Sequence, residues 1–348
     1  MWEHIIGHTE QKKFLQNYLQ AKERPHALLF SGAAGLGKRT LALEFAKALL
    51  CLQHNGTDGC EACRLMNLQD GNLSHPDFVL VQHEWDDKKD RLRDTIIIDQ
   101  IRELTAKTAL APVMSPTRVC IVEDADTMVP AAANAFLKLL EEPPAGWVII
   151  LLAANVNRLL PTIMSRVVQL RFQAIEPQLV EQALQARQIE PAKAAVLARI
   201  SEGSIGLALN LAAAKGQLDV FECRKQAAAF LEALPLAMPM NYLAGRSWLD
   251  KKLQREQALL LVQLWQLLLR DLMMCKLQLY DRIYNIDLLD ELKSQSSGWQ
   301  LSALKQALVI VQEAYDALVS SVGMKTALET MALKIDKIYK EHSRNQQI

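Results

Sequence analysis

Ala27-Leu28-Leu29-Phe30-Ser31-Gly32-Ala33-Ala34-Gly35-Leu36-Gly37-Lys38-Arg39-Thr40 decides how the chain is read. Its apolar start, residues 27 to 30, predicts a short buried strand. Ser31 to Gly37 is a glycine-rich turn, and Thr40 to Cys51 reads as a helix. Strand, glycine loop and helix in that order form a phosphate-binding α/β unit. Residues Gly32 to Lys38 match G-x-x-x-x-G-K. Gly32, Gly35 and Gly37 let backbone N–H groups approach phosphate oxygens, and Lys38 places a positive charge at the outer phosphates. The next position should be Ser or Thr, whose hydroxyl binds Mg²⁺. It is Arg39, which has no acceptor lone pair and repels a cation. Thr40 is one residue late, and one residue turns a helical side chain by about 100°. The loop is therefore expected to bind ATP weakly or not at all, with an impaired Mg²⁺ site.

Outward from this unit, apolar runs recur at 78–81, 119–122, 148–152 and 167–172, with helical segments between them. Residues 10 to 22 form an amphipathic helix ahead of the first strand. This alternation predicts a mostly parallel sheet covered on both faces. The run ending in Val122 continues into Glu123-Asp124. A working ATPase wants Asp for the metal and then Glu for water, so the pair is reversed and each carboxylate displaced by about one methylene. The charged run Glu84 to Asp94 reads as a solvated loop.

The pattern changes near Phe172. Glu176-Pro177 opens a helical region that carries almost no strand signal. Ser201-Glu202-Gly203-Ser204 breaks it. Leu301, Leu304, Leu308, Val311, Tyr315 and Leu318 repeat at helical spacing, as do Met324, Leu328, Met331, Ile335 and Ile338. Residues 258 to 274 are apolar on nearly every face, which suits a deep core or a subunit interface.

The chain has 348 residues, half of them hydrophobic. That length suits two or three domains at about 150 residues each. Lys plus Arg and Asp plus Glu both number 39. A lone, salt-sensitive DNA binder would carry a basic excess, so contact with nucleic acid is expected to be local or through an assembly. The unbroken apolar run Trp147 to Ala154 is too short to span a membrane. Glu3 and His4 stand where an export signal needs basic and then apolar residues. Six cysteines in this length do not form a disulfide scaffold. A cytoplasmic protein with reduced or metal-bound thiols is expected. Cys51, Cys60 and Cys63 fall as C-x8-C-x2-C, a zinc-like spacing, and His54 or water would complete it. Three reduced thiols in a small lobe is the other reading. Cys120, Cys223 and Cys275 read as buried small hydrophobes.

These segments together resemble the clamp-loader AAA+ proteins of bacterial replication. The resemblance rests on Ile5-Ile6-Gly7-His8, Pro25-His26-Ala27, the phosphate loop, Cys60-Glu61-Ala62-Cys63, His75-Pro76-Asp77, residues 98 to 104, residues 134 to 138, Leu140-Glu141-Glu142-Pro143-Pro144 and Thr162-Ile163-Met164-Ser165-Arg166. It is strong over the first 210 residues and extends beyond them only in length and helical character. It implies a P-loop α/β domain with a parallel sheet over residues 1–172, bearing a cysteine insertion at 51–76. A helical lid would follow at 173–212 and an all-α collar at 213–348. It also implies a hetero-oligomeric ring with motor subunits and a delta subunit, which places a sliding clamp on primed DNA.

In that family an arginine after serine acts in trans at a neighbour's ATP site, and here the motif is Ser165-Arg166-Val167. The family's fourth zinc-site cysteine falls on Met66, a neutral thioether that binds zinc poorly. A second-sensor arginine falls on Gly206. The polar first-sensor position near Ala153-Ala154 is apolar, with Asn155 as a substitute. Parts needed to hydrolyse ATP in cis are impaired while the part used in trans is kept. That implies a fixed, non-hydrolysing subunit of the polymerase holoenzyme; the alternative is a motor subunit or another AAA+ ATPase.

Overall fold

The decisive strand is β1, Ala27–Ser31, and it lies next to the edge of a five-stranded sheet. The other members are β4 (Phe78–Val81), β7 (Arg118–Val122), β8 (Trp147–Ala153) and β9 (Val168–Arg171), in the order β4-β7-β8-β1-β9. Every pairing is parallel. The structure is a computed structural model. It describes residues 1–52, 56, 59–67, 72–86, 90–108, 111–213, 220–234, 255–319 and 323–344.

β1, β7 and β8 are buried along their whole lengths, which is why they read as continuous apolar runs. Their alternate side chains serve two cores. Leu28, Phe30, Ile121 and Ile150 join Leu15 and Phe45, from helices α1 (Thr9–Gln20) and α2 (Lys38–Leu50), on one face. Leu29, Val122, Ile149 and Leu151 join Ile101 and Phe136, from α4 (Ile98–Thr108) and α5 (Pro130–Glu141), on the other.

A buried ion pair fixes one edge. Asp77, fully buried, accepts the Nε–H of Arg118 at 3.1 Å and the backbone N–H groups of Val113, Met114 and Ser115 at 2.8 to 2.9 Å. Burial alone would raise its pKa, but these donors outweigh it and hold the carboxyl below its ordinary value. His75 is buried as well, and its Nδ1 accepts the Asp77 N–H at 3.0 Å. The His-Pro-Asp turn is thus a latch onto residues 113 to 115.

The insertion contains α3 (Glu61–Leu65) and an antiparallel pair, β2 (Met66–Asn67) with β3 (Asn72–Leu73). The charged run at 84–94 is not simply a loop. Its described residues form a second antiparallel pair, β5 (Trp85–Asp86) with β6 (Arg91–Leu92). Trp85 and Leu92 face each other across it and stay half-exposed, so the pairing leaves no apolar stripe for periodicity to detect.

The chain divides into two compact units, Met1–Val180 with Glu202–Gly206, and Glu181–Ser201 with Leu207–Ile348. After the short α6 (Pro161–Met164) and β9, the described elements are all helical. They are α7 (Pro177–Gln185), α8 (Pro191–Ile200), α9 (Ile205–Ala213), α10 (Val220–Ala233), α11 (Arg255–Lys276), α12 (Leu289–Ser296), α13 (Leu301–Val319) and α14 (Met324–Arg344), joined in places by short 3₁₀ turns. A helical bundle therefore follows the α/β unit in the chain. Within α11, residues Gln257–Lys276 are long and apolar enough to cross a membrane, but 67% of that window is buried. It is the core helix of its unit. Trp265 lies fully inside, donating its indole N–H to Ala227 O at 3.0 Å. Leu304, Val311 and Leu318 are buried on α13, and Leu328, Met331 and Ile335 on α14, as their spacing predicts. Leu308 and Tyr315 are only half-buried, because the small Ala303, Ala307 and Ala314 occupy the rest of the inner face.

Candidate functional site

The loop between β1 and α2 stands at the carboxyl end of the sheet, where open α/β sheets place their ligands. Gly37 caps α2 in the left-handed region, at φ +88°. Gly32 has φ +146°, and a Cβ there would press into the backbone carbonyl of Phe172. Both glycines are needed for the turn.

The loop carbonyls are taken by donors from the same unit. Lys38 is buried, and its Nζ donates to Gly32 O and, at 2.7 Å, to Ala33 O. Ser204 Oγ donates to Ala34 O at 3.3 Å. The Gly206 N–H donates to Gly35 O at 2.9 Å. His8 Nε2 donates to Leu36 O at 2.7 Å, with its ring against Phe172 at 4.7 Å. Burial lowers the pKa of Lys38, against the opposing charges of Asp124 and Asp126. Burial also lowers that of His8; its bond to Leu36 opposes this, and the charge of Lys12 adds to it.

Where the loop motif calls for a metal-binding hydroxyl, the side chain present is already paired. Arg39 forms an ion pair with Glu123, whose side chain is only 16% exposed. The residue in place of the metal-binding hydroxyl thus neutralises one of the two acids at the end of β7. This arrangement does not fit a hydrated Mg²⁺, which needs oxygen donors on all sides. Thr40 is exposed on α2. Asp124 is exposed in a left-handed conformation. Asp126 accepts the N–H groups of Ala154 and Asn155 at 3.2 and 3.0 Å. Asn155 Oδ1 accepts the Asn157 N–H at 3.0 Å, so it caps the short turn after β8.

Gly206 explains part of this arrangement. A Cβ there would lie 3.0 Å from both Cα and O of Gly35. The sequence marks the missing arginine at this position. The close backbone approach that the glycine allows is a three-dimensional fact that no periodicity carries.

Arg166 lies away from the loop, just past α6. Its Nη1 donates to Thr162 O at 2.9 Å and to Ser165 Oγ at 3.1 Å. Its Nη2 lies 2.8 Å from Glu141 Oε1, with the arginine side chain 34% exposed. Val167 is half-buried against the core. Spacing gives Glu141 no partner; its pairing with Arg166 brings together residues from two separate stretches.

Cys51, Cys60 and Cys63 come together, with their Sγ atoms within 4.8 Å of one another. Three thiolates so placed fit three corners of a tetrahedral zinc site. Cys51 ends α2 and Cys60 precedes α3. Met66 is fully buried at the start of β2. His54 lies outside the described residues. Cys120, Cys223 and Cys275 are buried, and burial raises the thiol pKa of Cys120.

The family profile for DNA polymerase III, delta subunit, matches residues 7–176. The chain is 28% identical over 334 residues to DNA polymerase III subunit delta' of Bacillus subtilis, covering 93% of this chain and 95% of that one. It is 37% identical over 147 residues to DNA polymerase III subunit delta' of Pseudomonas aeruginosa, covering 42% and 43%. In fold it is similar to a DNA polymerase III gamma subunit-related protein of Thermotoga maritima, at TM-score 0.54 and 17% identity, covering 93% of this chain and 99% of that one. Over most of its length the chain is thus similar to DNA polymerase III delta-prime subunits.

Proposed function

We propose that this chain is a fixed, non-catalytic subunit of a bacterial clamp loader that lends Arg166 to a neighbouring motor subunit. One observation carries the reading: Arg39, at the place of the metal-binding hydroxyl, is paired with the strand-end acid Glu123, whereas Arg166, paired with Glu141, stands 34% exposed just past α6. A guanidinium is always charged and can bridge phosphate oxygens as charge develops there. Ser165 would hold its near side. Loop residues Gly32, Gly35, Gly37, Lys38 and Thr40 would serve as a structural turn, with ATP binding weak or absent.

The ring would contain the motor subunits and a delta subunit, and through it the chain would act on the sliding clamp and primed DNA in the cytoplasm. Residues 1–172 would be the nucleotide-binding-like domain, with its cysteine insertion at 51–76. Residues 173–212 would be the lid and 213–348 the collar that holds the ring. Cys51, Cys60 and Cys63 would hold a structural Zn²⁺ that ties the insertion to α2.

The test is DNA- and clamp-stimulated ATP hydrolysis by a reconstituted loader, with the isolated chain as blank. Arg166→Ala should lower turnover at least tenfold while the complex stays assembled. An arginine in trans is worth about 10³ in the best cases, and one interface among several shows less. Unchanged turnover in an assembled complex would reduce the chain to a scaffold. Hydrolysis by the isolated chain would restore the motor reading.

A further inference from the structure

Arg166 is held from two directions. Its contacts to Thr162 O and Ser165 Oγ belong to its own turn. The Glu141 carboxylate, at 2.8 Å, ties it to a different element, the last residue of α5. Pro143 and Pro144 follow almost at once and cannot continue the helix, so they fix where α5 stops and where Glu141 stands. A carboxylate at a helix C-terminus meets the negative end of the dipole. The stability of α5 therefore does not account for Glu141, whereas the nearby guanidinium does.

We propose that Glu141 is a positioning residue, which holds the guanidinium of Arg166 in the orientation used at the neighbour's ATP site. This rests on the trans role of Arg166. The geometry favours positioning over masking. A guanidinium has five N–H donors, and the contacts to Thr162, Ser165 and Glu141 do not exhaust them. An arriving phosphate can bind the same fork without evicting the carboxylate. Glu141 also removes rotamer freedom that a lone arginine would lose only on meeting the transition state.

The experiment uses the reconstituted loader carrying Glu141→Ala, Glu141→Gln, Arg166→Ala or Glu141→Ala with Arg166→Ala. Glu141→Ala should lower kcat for ATP about fivefold with KM unchanged, the size expected of a partly exposed ion pair. Glu141→Gln should recover part of the loss, since its amide oxygen still accepts an N–H. In the Arg166→Ala background, Glu141→Ala should add nothing. Equal losses in both backgrounds would make Glu141 structural and overturn the proposal. Unchanged or raised kcat would overturn it too, as would a change in KM alone. If Glu141→Ala does not assemble, Glu141→Gln decides: a lowered kcat that vanishes without Arg166 supports positioning, and anything else overturns it. If Arg166→Ala alone leaves turnover intact in the assembled ring, the trans role itself fails. If Arg166→Ala is damaging and Glu141 variants are not, only positioning fails.

Discussion

The phosphate loop and the Arg166 corner use the same materials, a cation and a set of oxygen acceptors, to opposite ends. In the loop, Lys38 turns inward onto the carbonyls of Gly32 and Ala33, and Arg39 turns onto Glu123. Ser204, Gly206 and His8 fill the remaining carbonyls. At the corner, Arg166 is fixed by its own turn and one carboxylate, and it stands 34% exposed against 53% for Arg39. The loop's cations and carbonyls are thus bonded within the fold. They hold the fold together, so loop substitutions should register as stability and corner substitutions as turnover in the assembled ring.

The largest effect is expected from Gly32→Ala. The added Cβ would strike the Phe172 carbonyl, and φ +146° is strained for any other residue. Unfolding free energy should fall by about 3 kcal/mol or more, measured by urea denaturation. Arg166→Ala, measured the same way, should cost about 1 kcal/mol or less, because its ion pair is partly exposed. A loss for Gly32→Ala as small as that for Arg166→Ala would mean that the loop is not packed as described, and the contrast would collapse.

Lys38→Met comes next. The methionine keeps the bulk but leaves Gly32 O and Ala33 O without their donor. Unmet buried acceptors cost about 1 to 3 kcal/mol each, and the exposure of Ala33 to solvent puts this case near the lower figure. Turnover of the assembled loader should fall less than with Arg166→Ala. If the isolated chain instead loses measurable ATP affinity on Lys38→Met, the loop still receives nucleotide, and its internal bonds are only a resting state.

Much of this was legible in the sequence. The five sheet strands appear within about a residue of the runs that predict them, and for β1, β7 and β8 the cause is burial on both faces, which makes a strand apolar along its length. The loop glycines, the misplaced Arg39 and the cysteine trio are local patterns, and the structure does bring the three thiols together. Pairings between distant residues were not legible. Nothing in the spacing joins Arg39 to Glu123, Arg166 to Glu141, or Asp77 to Arg118. Each is a cation meeting an acid across a large loop of chain, and with 39 of each charge type in the chain the sequence offers far too many candidate pairs. The β5–β6 pair was missed for a related reason, since its alternation is masked by charges on both strands.

The smallest effect is a pH dependence, and it separates the two regions by chemistry. His8 holds Leu36 O, and burial pulls its pKa below the ordinary 6.5 against the opposing pull of that same bond. A base with a lowered folded pKa is held neutral in the fold. Its contribution is complete above pH 6.5 and is lost as pH falls from there through the folded value, because the unfolded chain binds the proton more readily. His75 is lowered in the same direction, chiefly by burial and against the charge of Asp77, so wild type should lose stability on acidification from both rings. His8→Gln keeps an N–H for Leu36 O but does not titrate. Its urea midpoint should therefore fall less steeply below pH 6.5, by a margin worth under about 1 kcal/mol. Arg166→Ala should leave the slope as it is in wild type, since a guanidinium stays charged throughout this range. Equal slopes in wild type and His8→Gln would place the proton uptake at His75 and remove His8 from the energetics of the loop. A flattened slope would place part of that uptake at His8 and tie its neutral imidazole on Leu36 O to the stability of the fold, whereas Arg166 carries a fixed charge through the same range.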